Sequence, residues 1–239
     1  MPHRMFNIVE TAAYLHLELR DLEHLVRHVE IPFEMSGNRP IFHKREIDAW
    51  ASRRILGMPE KKLRAYHEIS SGKAHDISQQ NAIVTELMRP DQIMTNLSAR
   101  TKPSLLSEMT QLADQTGLLY DARDLLASLQ EREELYSTAL SDGIALLHPR
   151  HHEPYMFDDS FIVLGRAPRP LPFGAPDGEN TDIFFLVCCQ DDRLHLHVLA
   201  RLCMMCRRTR LIGELRAGAD AGVMHAALVK AELSIINNR

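Results

Sequence analysis

Three apolar runs constrain the fold of this chain more than any other feature. They cover residues 143–147, 161–165 and 182–189, and none shows the alternation of apolar and polar residues that a half-exposed strand needs. Such runs are typical of strands that are covered on both faces. Four amphipathic stretches with helical spacing flank them: 104–117, 121–134, 194–207 and 222–235. The chain is therefore predicted to form an α/β fold, a three-layer α/β/α sandwich around a mixed sheet.

Composition places the chain among ordinary globular proteins. It has 239 residues, of which 45% are hydrophobic and 25% charged, enough for one large or two smaller domains. No apolar run approaches the roughly 18 residues of a membrane helix, and residues 1–6 lack a secretion signal. We therefore expect a cytoplasmic protein without membrane insertion. A net charge of −4 limits any binding of nucleic acid to a local surface.

The four cysteines, Cys188, Cys189, Cys203 and Cys206, lie close together in the sequence, unlike a dispersed disulfide framework. They are expected to be reduced thiols. The last two have Cys-x-x-Cys spacing, but they fall within a predicted helix and no second pair completes a tetrahedral metal site. We interpret the cysteines as core residues.

A histidine cluster offers the alternative of a metal site. His148, His151 and His152 together with His195 could supply imidazole ligands. However, directly adjacent histidines do not easily converge on one ion, and no well-spaced carboxylate or thiolate completes the set. The prediction is therefore that the protein uses no metal and no other cofactor.

The first 57 residues have the pattern of a separate small domain. Asn7 is a plausible N-cap, with Glu10 three residues later, for a first helix that ends near residue 15. Apolar residues at 19–29 predict a second helix, 31–43 a hairpin and 44–55 a third helix. The polar stretch 58–76 is interpreted as a linker and residues 77–239 as the second domain.

This order of parts resembles the winged helix-turn-helix domains of the MerR and excisionase type over residues 5–56. The resemblance lies in the first helix at 9–15, the entry to the wing at Ile31-Pro32 and the exit helix at 46–50. It implies that the second helix enters the major groove of DNA and that the wing contacts the backbone. The cations that would contact DNA are Arg20, Arg27, Arg39, Lys44 and Arg45.

The charges of this small domain leave a second interpretation open. Where the family has Ser-Arg-Arg-Thr, this chain has Glu18-Leu19-Arg20-Asp21, and carboxylates there repel phosphates. Residues 1–60 contain eight basic and nine acidic side chains. A fold retained for protein contacts is therefore the alternative to DNA binding.

Residues 77–233 resemble the type-2 enzyme IIA domain of the bacterial phosphotransferase system, the fructose, mannitol and nitrogen-regulatory class. Four motifs occur in the same order as in that family: 131–134 followed by Ser137-Thr138, then 143–150 with His148 and Arg150, then 181–186, and finally 195–200. The resemblance implies that His148 takes a phosphoryl group from the histidine-containing phosphocarrier protein and that His195 is its neighbour.

The chemistry of these side chains suits those roles. A neutral imidazole is a competent nucleophile near pH 7, and phosphoryl transfer mainly requires positioning and donors for the equatorial oxygens. Arg132 and His195 would donate charge-assisted hydrogen bonds, with Ser137, Thr138 and Arg150 as supporting residues. The alternatives are a solvated helix-end charge for Arg132, a helix-start residue for His195, and capping for the two hydroxyls.

Three residues near His148 depart from the family pattern. Leu147 replaces a proline and gains an N–H that must find a partner. Ala139 replaces a glycine, and Asp142 stands where asparagine is frequent. An acid six residues before His148 could either orient its ring or repel phosphate.

Two functions follow from these features. The first is a phosphoryl-accepting regulator that is phosphorylated on His148 and signals through the small domain. The second is a DNA- or protein-binding adaptor whose IIA-like domain no longer transfers phosphate.

Overall fold

The structure of the chain is a computed structural model that describes residues 5–72, 83–150 and 156–237. The chain divides into two compact units, Met1–Met58 and Pro59–Arg239. The elements of the first unit are β1 (Met5–Phe6), α1 (Ile8–Tyr14), α2 (Leu19–Arg27), β2 (Glu34–Ser36), β3 (Arg39–His43) and α3 (Lys44–Leu56).

The first unit has a small antiparallel sheet in the order β1-β3-β2, and its three helices follow the predicted sequence. Asn7 caps α1 as predicted, accepting from the Val9 and Glu10 backbone N–H groups, while the Glu10 carboxylate accepts from the Asn7 N–H. The hairpin strand starts three residues later than predicted, since Ile31 is buried in the core and pairing begins at Glu34.

The second unit contains the remaining elements: α4 (Glu60–Gly72), α5 (Ile83–Glu86), β4 (Ile93–Met94), α6 (Lys102–Asp114), α7 (Ala122–Leu135), β5 (Ile144–Leu147), β6 (Phe161–Leu171), β7 (Thr181–Cys188), α8 (Asp192–Arg208), α9 (Leu211–Ala217) and α10 (Ala221–Asn237). Its sheet has the order β4-β6-β7-β5. The outer pairs β4·β6 and β5·β7 are parallel and the central pair β6·β7 is antiparallel, so the sheet is mixed.

Helices cover both faces of this sheet, as the unalternating apolar runs predicted. Ala145, Val163 and Phe184 lie in one core cluster with buried residues of α6 and α7. Their neighbours Leu146, Leu164 and Phe185 are equally buried and point to the opposite face, where α8, α9 and α10 pack. The three-layer α/β/α architecture around a mixed sheet is confirmed.

Three of the elements named above were not predicted, and one was predicted differently. The two-residue strands β1 and β4 and the short helix α9 carry too few residues to show a clear period. The linker predicted for 58–76 is wrong over its described part, where α4 buries Leu63 and Tyr66 and packs against α8. Residues 73–76 lie outside the described residues. Within the described residues, no helix is long and apolar enough to span a membrane.

Candidate functional site

The parallel pairing of β5 with β7 brings the two predicted histidines to one edge of the sheet. His148 directly follows β5, and His195 lies in the first turn of α8, shortly after the end of β7. Parallel strands end at the same edge, so the residues that follow them become neighbours. The two imidazole rings have centroids 5.0 Å apart and planes inclined by 54°.

Arg132 completes this group from the last turn of α7. Its Nε–H donates to His148 Nε2 at 3.0 Å. Arg132, His148 and His195 are each only 1% exposed. The interpretation of Arg132 as a solvated surface charge is therefore wrong, because its guanidinium is buried against the histidine.

The hydrogen bonds fix the tautomer of His148. An arginine only donates, so His148 Nε2 must carry the lone pair that accepts from Arg132. His148 Nδ1 lies 2.8 Å from the Leu146 carbonyl oxygen, which only accepts, so Nδ1 carries the proton. The ring is consequently neutral, and its nucleophilic nitrogen, Nε2, faces the guanidinium of Arg132.

Tyr136 supports the arginine and was missed by the sequence reasoning. The Arg132 guanidinium carbon lies 4.1 Å from the centroid of the Tyr136 ring, and Nη1 donates to the Tyr136 carbonyl at 3.1 Å. The stacked ring and the carbonyl together hold the plane of the guanidinium. The spacing of four residues was the available signal, since Tyr136 directly follows the last residue of α7 and so lies one helical turn beyond Arg132.

Ser137 and Thr138 are placed beside the site, but their hydroxyl protons are donated to protein acceptors. The Ser137 hydroxyl donates to the Phe173 carbonyl at 2.6 Å, and that of Thr138 to the Glu133 carboxylate. The Thr138 carbonyl accepts from the Leu146 N–H at 3.1 Å, along the outer edge of β5. In this structure the two residues position the strand that carries His148.

Arg150 forms an ion pair on the exposed side of α7. Its Nη1 donates to Glu131 at 3.3 Å on the exposed side of α7, and its backbone N–H donates to the Ser128 hydroxyl at 3.0 Å. The supporting role of Arg150 toward phosphate stays a prediction.

The strand direction settles what Asp142 can do. Asp142 lies before β5, where its N–H donates to Asp177 at 3.0 Å and its carbonyl accepts from Arg216 at 2.7 Å. His148 follows the other end of β5, about 20 Å along an extended chain. Asp142 therefore neither orients the imidazole nor repels a phosphate there.

The other two departures from the family pattern fit within the sheet. Leu147 is buried in the core, and strand alternation turns its N–H toward β7, because the Leu146 N–H points to the opposite side. Ala139 forms a bridge with Ala145 at the outer edge of β5. Neither substitution disturbs the placement of His148.

The described residues do not favour the two alternative chemistries, a metal site and reactive thiols. No group of three His, Cys, Asp or Glu side chains is arranged for a metal ion within 5–72, 83–150 and 156–237, while His151 and His152 fall outside these ranges. All four cysteines are buried, and burial raises the pKa of the Cys203 thiol to about 12. The thiols are therefore held protonated in the core.

The predicted DNA-contacting cations of the first unit differ in availability. Arg20, Arg27, Arg39 and Arg45 are exposed, the first two on α2 and the third at the start of β3. Lys44 is half-buried, with its ammonium group 3.0 Å from Asp48 and over the ring of Tyr14. Lys44 is thus engaged in the packing of its own unit.

Comparison with known proteins places the second unit in a family. Residues 86–230 match the family "Phosphoenolpyruvate-dependent sugar phosphotransferase system, EIIA 2". The chain is 29% identical to a nitrogen regulatory protein of Bradyrhizobium diazoefficiens over 148 residues, which cover 61% of this chain and 94% of that protein. It is 25% identical to the fructose-specific EIIABC component of Bacillus subtilis over 130 residues, 54% of this chain and 20% of that protein.

Solved structures agree with this placement. The crystal structure of nitrogen regulatory protein IIA-Ntr from Neisseria meningitidis superposes with a TM-score of 0.55 at 25% identity, over 61% of this chain and 99% of that one. The structure of IIA mannitol from Escherichia coli shares the fold, with a TM-score of 0.53 at 16% identity, over 59% and 98% of the two chains. The family match spans more than half of the sequence, and the chain belongs to the type-2 EIIA family of the phosphotransferase system.

Proposed function

We propose that His148 accepts a phosphoryl group from the histidine-containing phosphocarrier protein and that the phosphorylated chain acts as a regulator. The observation that carries the proposal is the hydrogen-bonded pair of His148 and Arg132. A neutral imidazole is held with its lone pair on Nε2, and a permanent cation lies 3.0 Å from that nitrogen. A nucleophile and a charge-stabilising donor are the two components that phosphoryl transfer requires.

The transfer step follows from the tautomer. The lone pair of His148 Nε2 attacks phosphorus as the bond from phosphorus to the donor nitrogen breaks, and the electron pair of that bond returns to the donor imidazole. The Nδ1 proton remains on His148, where the Leu146 carbonyl holds it at 2.8 Å. Since the attack consumes the Nε2 lone pair, the Arg132 Nε–H turns to the incoming phosphoryl oxygens, as charge-assisted donors do.

Phosphorylation with purified components tests the proposal. The chain is incubated with enzyme I, the phosphocarrier and radiolabelled phosphoenolpyruvate, and a base-stable, acid-labile label is expected. His148→Ala should abolish the label, while the matched variants His151→Ala and His152→Ala should retain it. Failure of the wild-type chain to take up label would support the adaptor that no longer transfers phosphate, and label that persists in His148→Ala would show that another residue is the acceptor; either result refutes the proposal for His148.

We further propose that the first unit contacts DNA and reads the state of the second. The proposal is supported by the order of its elements, two helices followed by a hairpin and a third helix, and by the exposed Arg20, Arg27, Arg39 and Arg45. The nearby carboxylates, including Asp21 at 3.9 Å from Arg20, limit how many phosphates it contacts. Signalling would require the dianion on His148 to change this contact.

Salt dependence tests the DNA contact. Binding of the full chain to duplex DNA should weaken as salt rises. In a plot of the logarithm of the binding constant against the logarithm of the salt concentration, each cation that contacts a phosphate should steepen the slope by about one unit. Arg27→Gln and Arg39→Gln should each reduce that slope, and Lys230→Gln, on α10 of the second unit, should leave it unchanged. Absence of binding at low salt, or a flat salt response, would remove the nucleic-acid role.

A further inference from the structure

A second pair of histidines lies on the other side of α8 from the phosphoacceptor. His197 follows His195 by two residues, and its ring stacks on that of His67 from α4, with centroids 5.3 Å apart and planes inclined by 24°. Both rings are buried. Helix α4 lies outside the 86–230 region that defines the family match, so this contact attaches an additional helix to the family domain.

Arg201 of α8 bridges the Nε2 atoms of these two rings. Its Nε donates to His67 Nε2 at 2.7 Å, and its Nη2 lies 3.2 Å from His197 Nε2. Because arginine only donates, both Nε2 atoms must carry lone pairs. His197 Nδ1 lies 2.9 Å from the Ser70 hydroxyl, which itself donates to the His67 carbonyl, so Nδ1 bears the proton of that ring. Both imidazoles are therefore neutral in this arrangement.

One carboxylate balances the arginine. Glu232 of α10 accepts from Arg201 Nη1 at 3.0 Å, and these side chains are 0% and 1% exposed respectively. The same carboxylate accepts hydrogen bonds from three groups of α5: the Val84 N–H, the Thr85 N–H and the Thr85 hydroxyl. At the outer end of the α4·α8 pair, Arg208 and Glu60 form a surface ion pair at 3.4 Å. With both histidines neutral, the charges of Arg201 and Glu232 cancel each other.

We propose that these five residues, His67, Ser70, His197, Arg201 and Glu232, form a proton-sensitive latch that releases α4 on acidification. Protonation of either ring would replace the accepting Nε2 with a donor that faces an arginine donor. It would also place a second positive charge about 3 Å from a guanidinium in a buried site. Undocking α4 lets both histidines take up protons in water, so protons favour the released state.

The size of the effect follows from proton linkage. A histidine in water titrates near a pKa of about 6.5, and the docked state excludes the proton. When the pH falls from 7.5 to 5.5, each histidine that must be neutral for docking therefore raises the population with α4 released by about tenfold. For both rings together the rise is about 100-fold. The latch is complete without a phosphoryl group, so the inference is independent of the phosphorylation of His148.

Hydrogen exchange of the full, unphosphorylated chain tests the latch. After correction for the intrinsic rate, amides of residues 60–72 should exchange about 100-fold faster at pH 5.5 than at pH 7.5, whereas α6, on the other face of the sheet, should keep its protection. Glutamine supplies a neutral acceptor, so the His67→Gln/His197→Gln chain should lose this pH dependence. Replacing His24 and His28, an exposed pair whose ring centroids lie 4.3 Å apart, by glutamine is the matched control and should leave the pH dependence intact.

Two results would overturn the inference. The first, which needs no variant, is that residues 60–72 of the wild-type chain have the same protection from hydrogen exchange at pH 7.5 and pH 5.5. The second is a folded glutamine variant whose protection falls with pH as much as that of the wild type. If the double variant is unfolded at pH 7.5, the single His67→Gln chain decides, and its pH response must shrink from about 100-fold to about tenfold.

Discussion

Arg132→Lys offers the most direct test of how the buried site works. The substitution keeps a positive charge and most of the side-chain stem, but it removes the planar fork that donates simultaneously to His148 Nε2 and to the Tyr136 carbonyl. A lysine ammonium is a point charge that cannot hold both acceptors in one plane. The expected consequence is slow phosphoryl transfer to His148 from a folded protein.

The magnitude follows from the number of donors lost. Removal of one pre-positioned donor from a transition-state site costs about 10²- to 10³-fold in rate. Lysine retains the charge and one donor in place of two, so we expect a loss of about 100-fold. Arg132→Met is a poorer test, because it leaves the two buried acceptors without a donor at a cost of about 1–3 kcal/mol each in folding stability.

Single-turnover transfer measures this loss. The phosphorylated phosphocarrier is mixed with the variant in a rapid-quench instrument, and circular dichroism verifies that the variant is folded. Arg123→Lys is the matched control, since Arg123 is an exposed arginine in the first turn of the same helix, and it should change the rate less than about twofold. A transfer rate within threefold of wild type for Arg132→Lys, or equal losses in both variants, would refute the assigned role of Arg132.

Three further predictions concern the ring beside the site, the buried ion pair and the thiols. Tyr136→Leu should slow transfer about fivefold in the same assay, because it removes a cation–π contact of about 1 kcal/mol, while Tyr136→Phe should not. Glu232→Gln should lower the free energy of unfolding in urea by about 3–5 kcal/mol, since it removes the buried counter-charge of Arg201, whereas Glu214→Gln, which breaks the surface pair with Lys230, should lower it by less than about 1 kcal/mol. Burial raises the pKa of the Cys203 thiol to about 12, so the thiol contributes fully to stability below about pH 8.5, and this contribution falls by about 1.4 kcal/mol for each pH unit above it. Urea titrations at pH 8 and 9.5 should therefore show a smaller loss of unfolding free energy in Cys203→Ala than in the wild type.

The sequence was sufficient for the layers of the second unit. Strands β5, β6 and β7 were recognisable because their apolar runs are buried on both faces, and α7 because Asp121 caps it in the structure as predicted. Helix α4 was mistaken for a linker because its buried positions are not all apolar. Its buried positions include His67 and Ser70, whose partners lie on α8, so no apolar stripe marks the helix.

The sequence predicted the residues that lie at strand ends, but not the contacts between residues far apart along the chain. His148 and His195 follow strands that turned out to be parallel neighbours, so their proximity was implied by the pattern. The bond from Arg201 to His67 joins residues 134 positions apart, and no spacing in a single sequence reports such a pair. For Asp142, the sequence left two roles open, and the direction of β5 excludes both.

The length of chain between the two units acquires a meaning from α4. Helix α3 ends at Leu56 and α4 begins at Glu60, so residues 57–59 connect these helices along the chain. Release of α4 would add residues 60–72 to this connection and lengthen the tether between the two units. Effective concentration falls with the length of a flexible tether, so the local concentration of one unit around a ligand held by the other would drop. The docked helix would thus set how strongly two separate binding events reinforce each other, and its release would make the chain a weaker bivalent binder without altering either binding surface.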